Sequence, residues 1–279
     1  VKARVVNTTP TMAQKWLSES NPHNRKIYKN TVEAYARDMK RGMWSLNNQG
    51  IGFDEDGELI DGQHRLTAIV WSGMTVPMLV VKGLPKNYVD GHKTQETVDR
   101  NKPRSIGDIL TLSHGIENAT LKSAVINVVA YLCTRKATKA TPSIILEIMN
   151  IYGGELDAVM NKRKAVPGLI FAPVLGSFVF AAKVFKRETV EFEKKYFSGE
   201  ELRRGDPPLI FRNQMLNRRN SGNKNGFQRK HIMDFCLTSL KYYIEQQPLN
   251  RLLQSNVGYD FFANKQKRTI NIVSELFEY

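Results

Sequence analysis

"GELIDGQHRLTAIVWSGMTVPMLVV", residues 57–81, decides the fold. It reads as strand, tight turn, helix, turn, strand. Five polar or special residues crowd the first turn: Asp61, Gly62, Gln63, His64 and Arg65. Leu66, Ile69 and Val70 recur at helical spacing and face a sheet, and Gly73 ends that helix. "VPMLVVKGL" is a nearly continuous apolar run and predicts a central strand.

A strand that turns straight into a helix presents main-chain N–H groups that have no intrahelical acceptor. Those groups and the helix dipole favour an anion. Gly62 lets the backbone pass close to it. Arg65 can grip phosphate oxygens at two points. His64 can donate to a phosphate or carry a proton near neutral pH, which makes it a catalytic candidate with Asp61. Gln63 offers a donor and an acceptor. Asp61 can orient His64 or Arg65, receive a proton, or hold a divalent ion such as Mg. Together they suit a nucleotide phosphate. The competing reading is structural: Asp61 caps the helix and Arg65 only pairs with Asp61.

Upstream, "ARVVNTTP" predicts a strand, and "TPTMAQKWLSES" a short helix with Met12, Trp16 and Leu17 on one face. "NTVEAYARDMKRG" predicts a helix capped by Asn30 with Glu33 three residues on; Val32, Tyr35, Ala36 and Met39 form its apolar stripe, and Gly42 stops it. "GIGFDEDGELID" predicts a β-hairpin with its turn at Asp56-Gly57. Asn47, Asn48 and Gln49 precede it and either line the same pocket or form a surface loop. After the last strand, Asp99, Arg100, Lys102 and Arg104 either cover a phosphate or form a solvated charge run.

Beyond about Pro103 the pattern changes. Ser105 and Asp108 have capping-box spacing. Helical spacing then recurs in 121–135, 142–150, 174–187 and 228–246, and no internal repeat is evident. The expected organisation is α+β: a small mixed sheet with helices over 1–105, then an α-helical region over 106–279. Segment 198–227 is rich in turn formers and arginine. From 201 to 230, eight basic residues (Arg203, Arg204, Arg212, Arg218, Arg219, Lys224, Arg229, Lys230) stand against two acidic ones. That tract suits a DNA backbone, with Phe211 and Phe227 as stacking candidates against their reading as core. Six such charges on duplex phosphates would give a log–log salt slope of roughly −5.

The whole chain of 279 residues carries 41 Lys+Arg, 27 Asp+Glu and a net charge of +14, which favours a polyanionic partner. At 41% hydrophobic residues a core is affordable and wholesale disorder is excluded. Cys133 and Cys236 lie in apolar contexts, outside any disulfide or metal pattern, which favours a reducing, cytoplasmic compartment. Neither a signal peptide nor a membrane-length apolar run is evident; the run from Ala165 is broken by Pro167 and Pro173 and reads as buried helices. The chain begins at Val1, so a few residues are expected to precede it.

The stretch from Gly57 to Pro85 resembles the ParB/sulfiredoxin superfamily, in which a strand leads into a G-x-x-R box at a helix start and a "vPv" strand follows. The D-G-Q-H-R form is similar to ParB-like proteins of phages and mobile elements, as are "TVEAYARDMKRGMWSLNNQGIGFDEDG" and "DRNKPRSIGDIL". The resemblance covers residues 5–112; later, only "RRGDPPLIFRNQM" is similar to the same proteins. It implies a mixed-sheet domain whose box, here Gly62 and Arg65 with His64 before the arginine and Asp61 at the acidic position, binds the phosphates of ATP or CTP. Family members include CTP-dependent DNA clamps, phosphotransferases and nucleases. Gln63 stands where sulfiredoxin has its cysteine, which argues against sulfinic-acid reduction. A helix-turn-helix signature is lacking, which argues against centromere binding.

Three functions follow as expectations: a nucleotide-dependent DNA-binding protein, compatible with a homodimer; an NTP hydrolase, phosphotransferase or metal-dependent nuclease; or an adaptor that has lost turnover.

Overall fold

The computed structural model describes residues 1–21, 26–87, 104–137, 140–161, 166, 168–220, 229–252 and 255–278, without the side chains of Asn161, Arg219 and Asn220. It is mixed α+β, with a small sheet near the N-terminus followed by helices. The chain divides into two compact units. The first is Val1–Arg104 with Lys139–Ser143 and Phe277–Tyr279; the second is Ser105–Thr138 with Ile144–Leu276. The division at Ser105 falls where the periodicity changes. The return of two short segments to the first unit is not visible in the sequence.

In the first unit the elements are β1 (Lys2–Thr8), α1 (Pro10–Glu19), α2 (Lys29–Lys40), β2 (Ile51–Asp54), β3 (Leu59–Asp61), α3 (Gln63–Ser72) and β4 (Val76–Leu84). The strand order is β1-β4-β2-β3. β4 runs antiparallel to β1 and parallel to β2, while β2 and β3 form the antiparallel hairpin. β4 is therefore interior, as its apolar run predicts. Its burial nevertheless alternates: Val76, Met78 and Val80 are buried, and the residues between them are half-buried. These three join Ala13, Val32, Ala36, Met39, Leu66 and Ile69 in one core.

The hairpin turn is built from its own carboxylates. The Asp54 side chain accepts from the Glu58 N–H at 2.7 Å, and Lys86 bridges Asp56 and Glu58 at 2.9 and 3.5 Å. Helix α2 starts two residues earlier than its cap signal predicts. Tyr28 is the N-cap and makes no side-chain cap, so Asn30 lies inside the helix and Glu33 pairs with Lys29 at 3.8 Å.

The second unit is helical: α4 (Ile106–His114), α5 (Ala119–Thr134), α6 (Pro142–Ile151, from Ile144 onward in this unit), α7 (Gly153–Asn161), α8 (Ala172–Ala182), α9 (Lys186–Ser198), α10 (Pro207–Asn220), α11 (Arg229–Ile244), α12 (Val257–Lys265) and α13 (Lys267–Glu275). Ser105 caps α4 in a complete capping box with Asp108. α8 is buried along nearly its whole length, and Phe178 meets Phe192, Tyr196 and Phe197 edge to face. Among the described residues, no helix is long and apolar enough to cross a membrane.

Two expectations change here. The region 174–187 is not one helix, since α8 ends at Ala182 and α9 begins at Lys186. The turn-rich tract 198–227 contains the 14-residue helix α10. Its start is encoded in "DPP": the Asp206 carbonyl receives the first helical N–H groups and Pro207 takes the first helical position.

Candidate functional site

The polar box sits where β3 becomes α3. Gly62 is the N-cap, with φ +107°, and offers no side chain to the helix start. A Cβ there would lie 2.6 Å from Ile51 Cδ1 and 3.2 Å from Ile51 Cα. The turn thus needs glycine twice, for its left-handed backbone and for its approach to β2. The first intrahelical bond runs from the Leu66 N–H to the Gly62 carbonyl at 2.9 Å. The N–H groups of Gln63, His64 and Arg65 precede it and therefore have no acceptor within the helix.

Arg65 lies one turn beyond Asp61 and is fixed from two sides. Its Nη2 donates to Asp61 Oδ2 and to the Gly50 carbonyl, both at 2.7 Å. Its side chain is 12% exposed and that of Asp61 27%. Arg65 Nε is buried with no hydrogen-bond partner. The pairing that a structural reading expects is therefore present, yet it leaves part of the guanidinium unused. Gly50 follows Asn47, Asn48 and Gln49, so this contact brings that exposed segment beside the box. The segment is ordered locally: the Gln49 N–H donates to Asn47 Oδ1 at 2.8 Å.

His64 and Gln63 are both buried in the first turn of α3. The Tyr28 N–H donates to His64 Nε2 at 3.0 Å, and the two rings stack with centroids 5.8 Å apart and planes 12° from parallel. Nε2 is thus an acceptor already engaged, which puts the imidazole proton on Nδ1. His64 is 9% exposed and Gln63 4%. Neither presents its side chain freely to solvent, and His64 Nε2 is already occupied by the Tyr28 N–H. The cause is the packing of α3 against both α1 and α2, which buries most of its circumference.

Asp61 remains as the partly exposed carboxylate of the box. Among the described residues, no group of three His, Cys, Asp or Glu side chains gathers to hold a metal. Asp54 is 3% exposed and committed to the hairpin turn. One carboxylate is enough for Mg only if phosphates and water supply its other ligands, which is the usual mode for this ion. Cys133 and Cys236 are free and buried, and burial pushes the Cys133 thiol up to about 12. They are inert core residues.

The basic tract is not one uniform surface. Arg203, Arg204 and Arg229 are exposed and Lys230 is half-buried. Arg203 shares an open hollow with Lys195, Glu201 and Asp206, so its surroundings are mixed in sign. Arg212 turns inward, where its Nη1 donates to the Tyr196 and Phe197 carbonyls at the end of α9. The Arg218 guanidinium lies over the Phe171 ring, 5.3 Å from its centroid. Phe211 is fully buried and stacks on Tyr196, so it is core rather than a platform for bases. Lys224, Phe227, Asp99, Arg100 and Lys102 lie outside the described residues, as does the Arg219 side chain.

The contact of Tyr28 with His64 is not legible in the sequence. Only its position as an aromatic just before a helix marks it, and its partner is 36 residues away. No protein-family model, no curated protein and no solved structure matches this chain.

Proposed function

We propose that the first unit binds a nucleoside triphosphate, ATP or CTP, with its phosphates at the start of α3, as in the ParB-like proteins that the D-G-Q-H-R box resembles. The observation that carries this reading is the Gly62 turn: it leaves the helix N-terminus uncapped by any Gly62 side chain, with Arg65 fixed in the first turn. Asp61 and Gly50 act as positioning groups, so the orientation of Arg65 is set before a ligand arrives. DNA is the second ligand, held by exposed basic residues of the second unit.

The charges make the proposal specific. Asp61 and Arg65 cancel, and His64 accepts a hydrogen bond rather than carrying charge on Nε2. A triphosphate therefore needs Mg, with Asp61 and its own oxygens as ligands. A metal-dependent nuclease is the weaker reading, because among the described residues no group of three His, Cys, Asp or Glu side chains gathers to hold a metal. Phosphoryl transfer shares the proposed site and stays as the alternative.

Calorimetric titration tests this reading. Mg·ATP or Mg·CTP is expected to bind the wild type, to bind at least about 10-fold more weakly to Arg65→Ala, and to lose most of its affinity when EDTA removes Mg. Equal binding to both proteins would remove Arg65 from the site. For DNA, three exposed arginines (Arg203, Arg204, Arg229) predict a log–log salt slope of roughly −3 rather than −5. A salt-independent affinity would exclude phosphate contacts by these side chains.

A further inference from the structure

We infer that Tyr28 is the nucleobase platform of the same site: an exposed aromatic ring fastened to the box on one face and open to a base on the other. The inference rests on the triphosphate reading and adds the part of the ligand that the box itself does not address.

Single exposed aromatic side chains are ordinary on protein surfaces. Tyr28 differs in how it is held. It is 63% exposed, while the ring beneath it, His64, is 9% exposed and belongs to the box. The rings are nearly parallel, 12° apart, with centroids 5.8 Å apart. The main chain of Tyr28 is fixed to the same imidazole, its N–H donating to His64 Nε2 at 3.0 Å. The next residue begins α2, so the ring is carried at the end of a rigid element. One face of the ring rests on the imidazole, and the high exposure leaves the other accessible.

A flat π surface anchored in this way suits another flat ring. Stacking accepts any base because every base has a π face. A nucleotide with its phosphates at the start of α3 enters where His64 supports Tyr28, since His64 lies in the first turn of that helix. The assigned ligand class is therefore a nucleotide, recognised through its base as well as its phosphates, with little discrimination between purine and pyrimidine from this contact.

The test compares Mg·ATP, Mg·CTP and Mg·tripolyphosphate on the full chain, with wild type, Tyr28→Ala and Tyr28→Phe. Neither substitution removes the main-chain bond to His64. The expected result is a loss of roughly 10-fold in both nucleotide affinities for Tyr28→Ala, unchanged tripolyphosphate affinity, and recovery in Tyr28→Phe. Nucleotide affinity unchanged in Tyr28→Ala overturns the platform and leaves the phosphate site standing. Equal losses for nucleotide and tripolyphosphate also overturn it, because Tyr28 would then act only by supporting His64. A wild type that binds none of the three ligands removes the phosphate reading and the platform together.

Discussion

Gly62→Ala is expected to lower the stability of the first unit by about 2–4 kcal/mol and to abolish nucleotide binding. Two costs combine. A side chain at φ +107° is strained wherever it stands, and the new Cβ would lie 2.6 Å from Ile51 Cδ1. Relieving the contact means moving Ile51, which is fully buried in the core strand β2, or moving the start of α3. Either shift moves the N–H groups at the start of α3 relative to Arg65, and with them the proposed phosphate site. Urea unfolding followed by Trp fluorescence measures the first effect, and nucleotide titration of the folded variant at low temperature the second. A variant as stable as wild type would mean that the turn has another conformation. A stable variant that binds normally would detach the glycine from the proposed site.

Asp234→Asn is expected to act in the opposite direction, stabilising the second unit by about 1–3 kcal/mol at pH 7. Asp234 is 1% exposed on α11, and neither of its carboxylate oxygens has a hydrogen-bond partner; Thr238 Oγ1, one turn further on, has none either. Burial raises the Asp234 pKa above its ordinary value, and the nearby charges of Arg135, Lys230 and His231 offset this only in part. The sign follows from linkage. Below the ordinary carboxylate pKa both folded and unfolded chains hold the proton, and no ionisation penalty exists. As pH rises above it, the unfolded chain releases its proton first and the native state loses stability. That loss stops growing once the folded pKa is passed. The gain from Asn should therefore be present at pH 7 and fade toward pH 3, measured as the wild type–variant difference in urea midpoints. Destabilisation at pH 7 would show instead that the ionised carboxylate has a compensating partner.

Much of the first unit could be read from the sequence because its signals are local. The alternating hairpin, the D-G turn, the apolar run of β4 and the stripe of Val32, Tyr35, Ala36 and Met39 each lie within about a dozen residues. The Ser105–Asp108 capping box is local too, and it forms as read. What escaped depends on contacts distant in sequence. The start of α2 at Lys29 accompanies the bond between the Tyr28 N–H and His64, which no spacing rule contains. Gln63 has polar chemistry but the burial of its helix, because α1 and α2 pack around α3. Within 201–230, composition suggested a solvated basic tract. The helix of Pro207–Asn220 instead directs Arg212 toward the carbonyls of α9 and Phe211 into the core. Charge clustering in sequence became clustering on a surface only in part, since a helix sends neighbouring residues in different directions.

The most direct measurement is an amide-resolved NMR titration of the isotopically labelled protein with Mg·CTP and Mg·ATP. If the start of α3 holds the phosphates, the N–H signals of Gln63, His64 and Arg65 move downfield together, with a common Kd, and those movements are lost in Arg65→Ala. If nucleotide leaves these three amides in place, whatever else it perturbs, the box is a fastening between β2, β3 and α3 and not a ligand site.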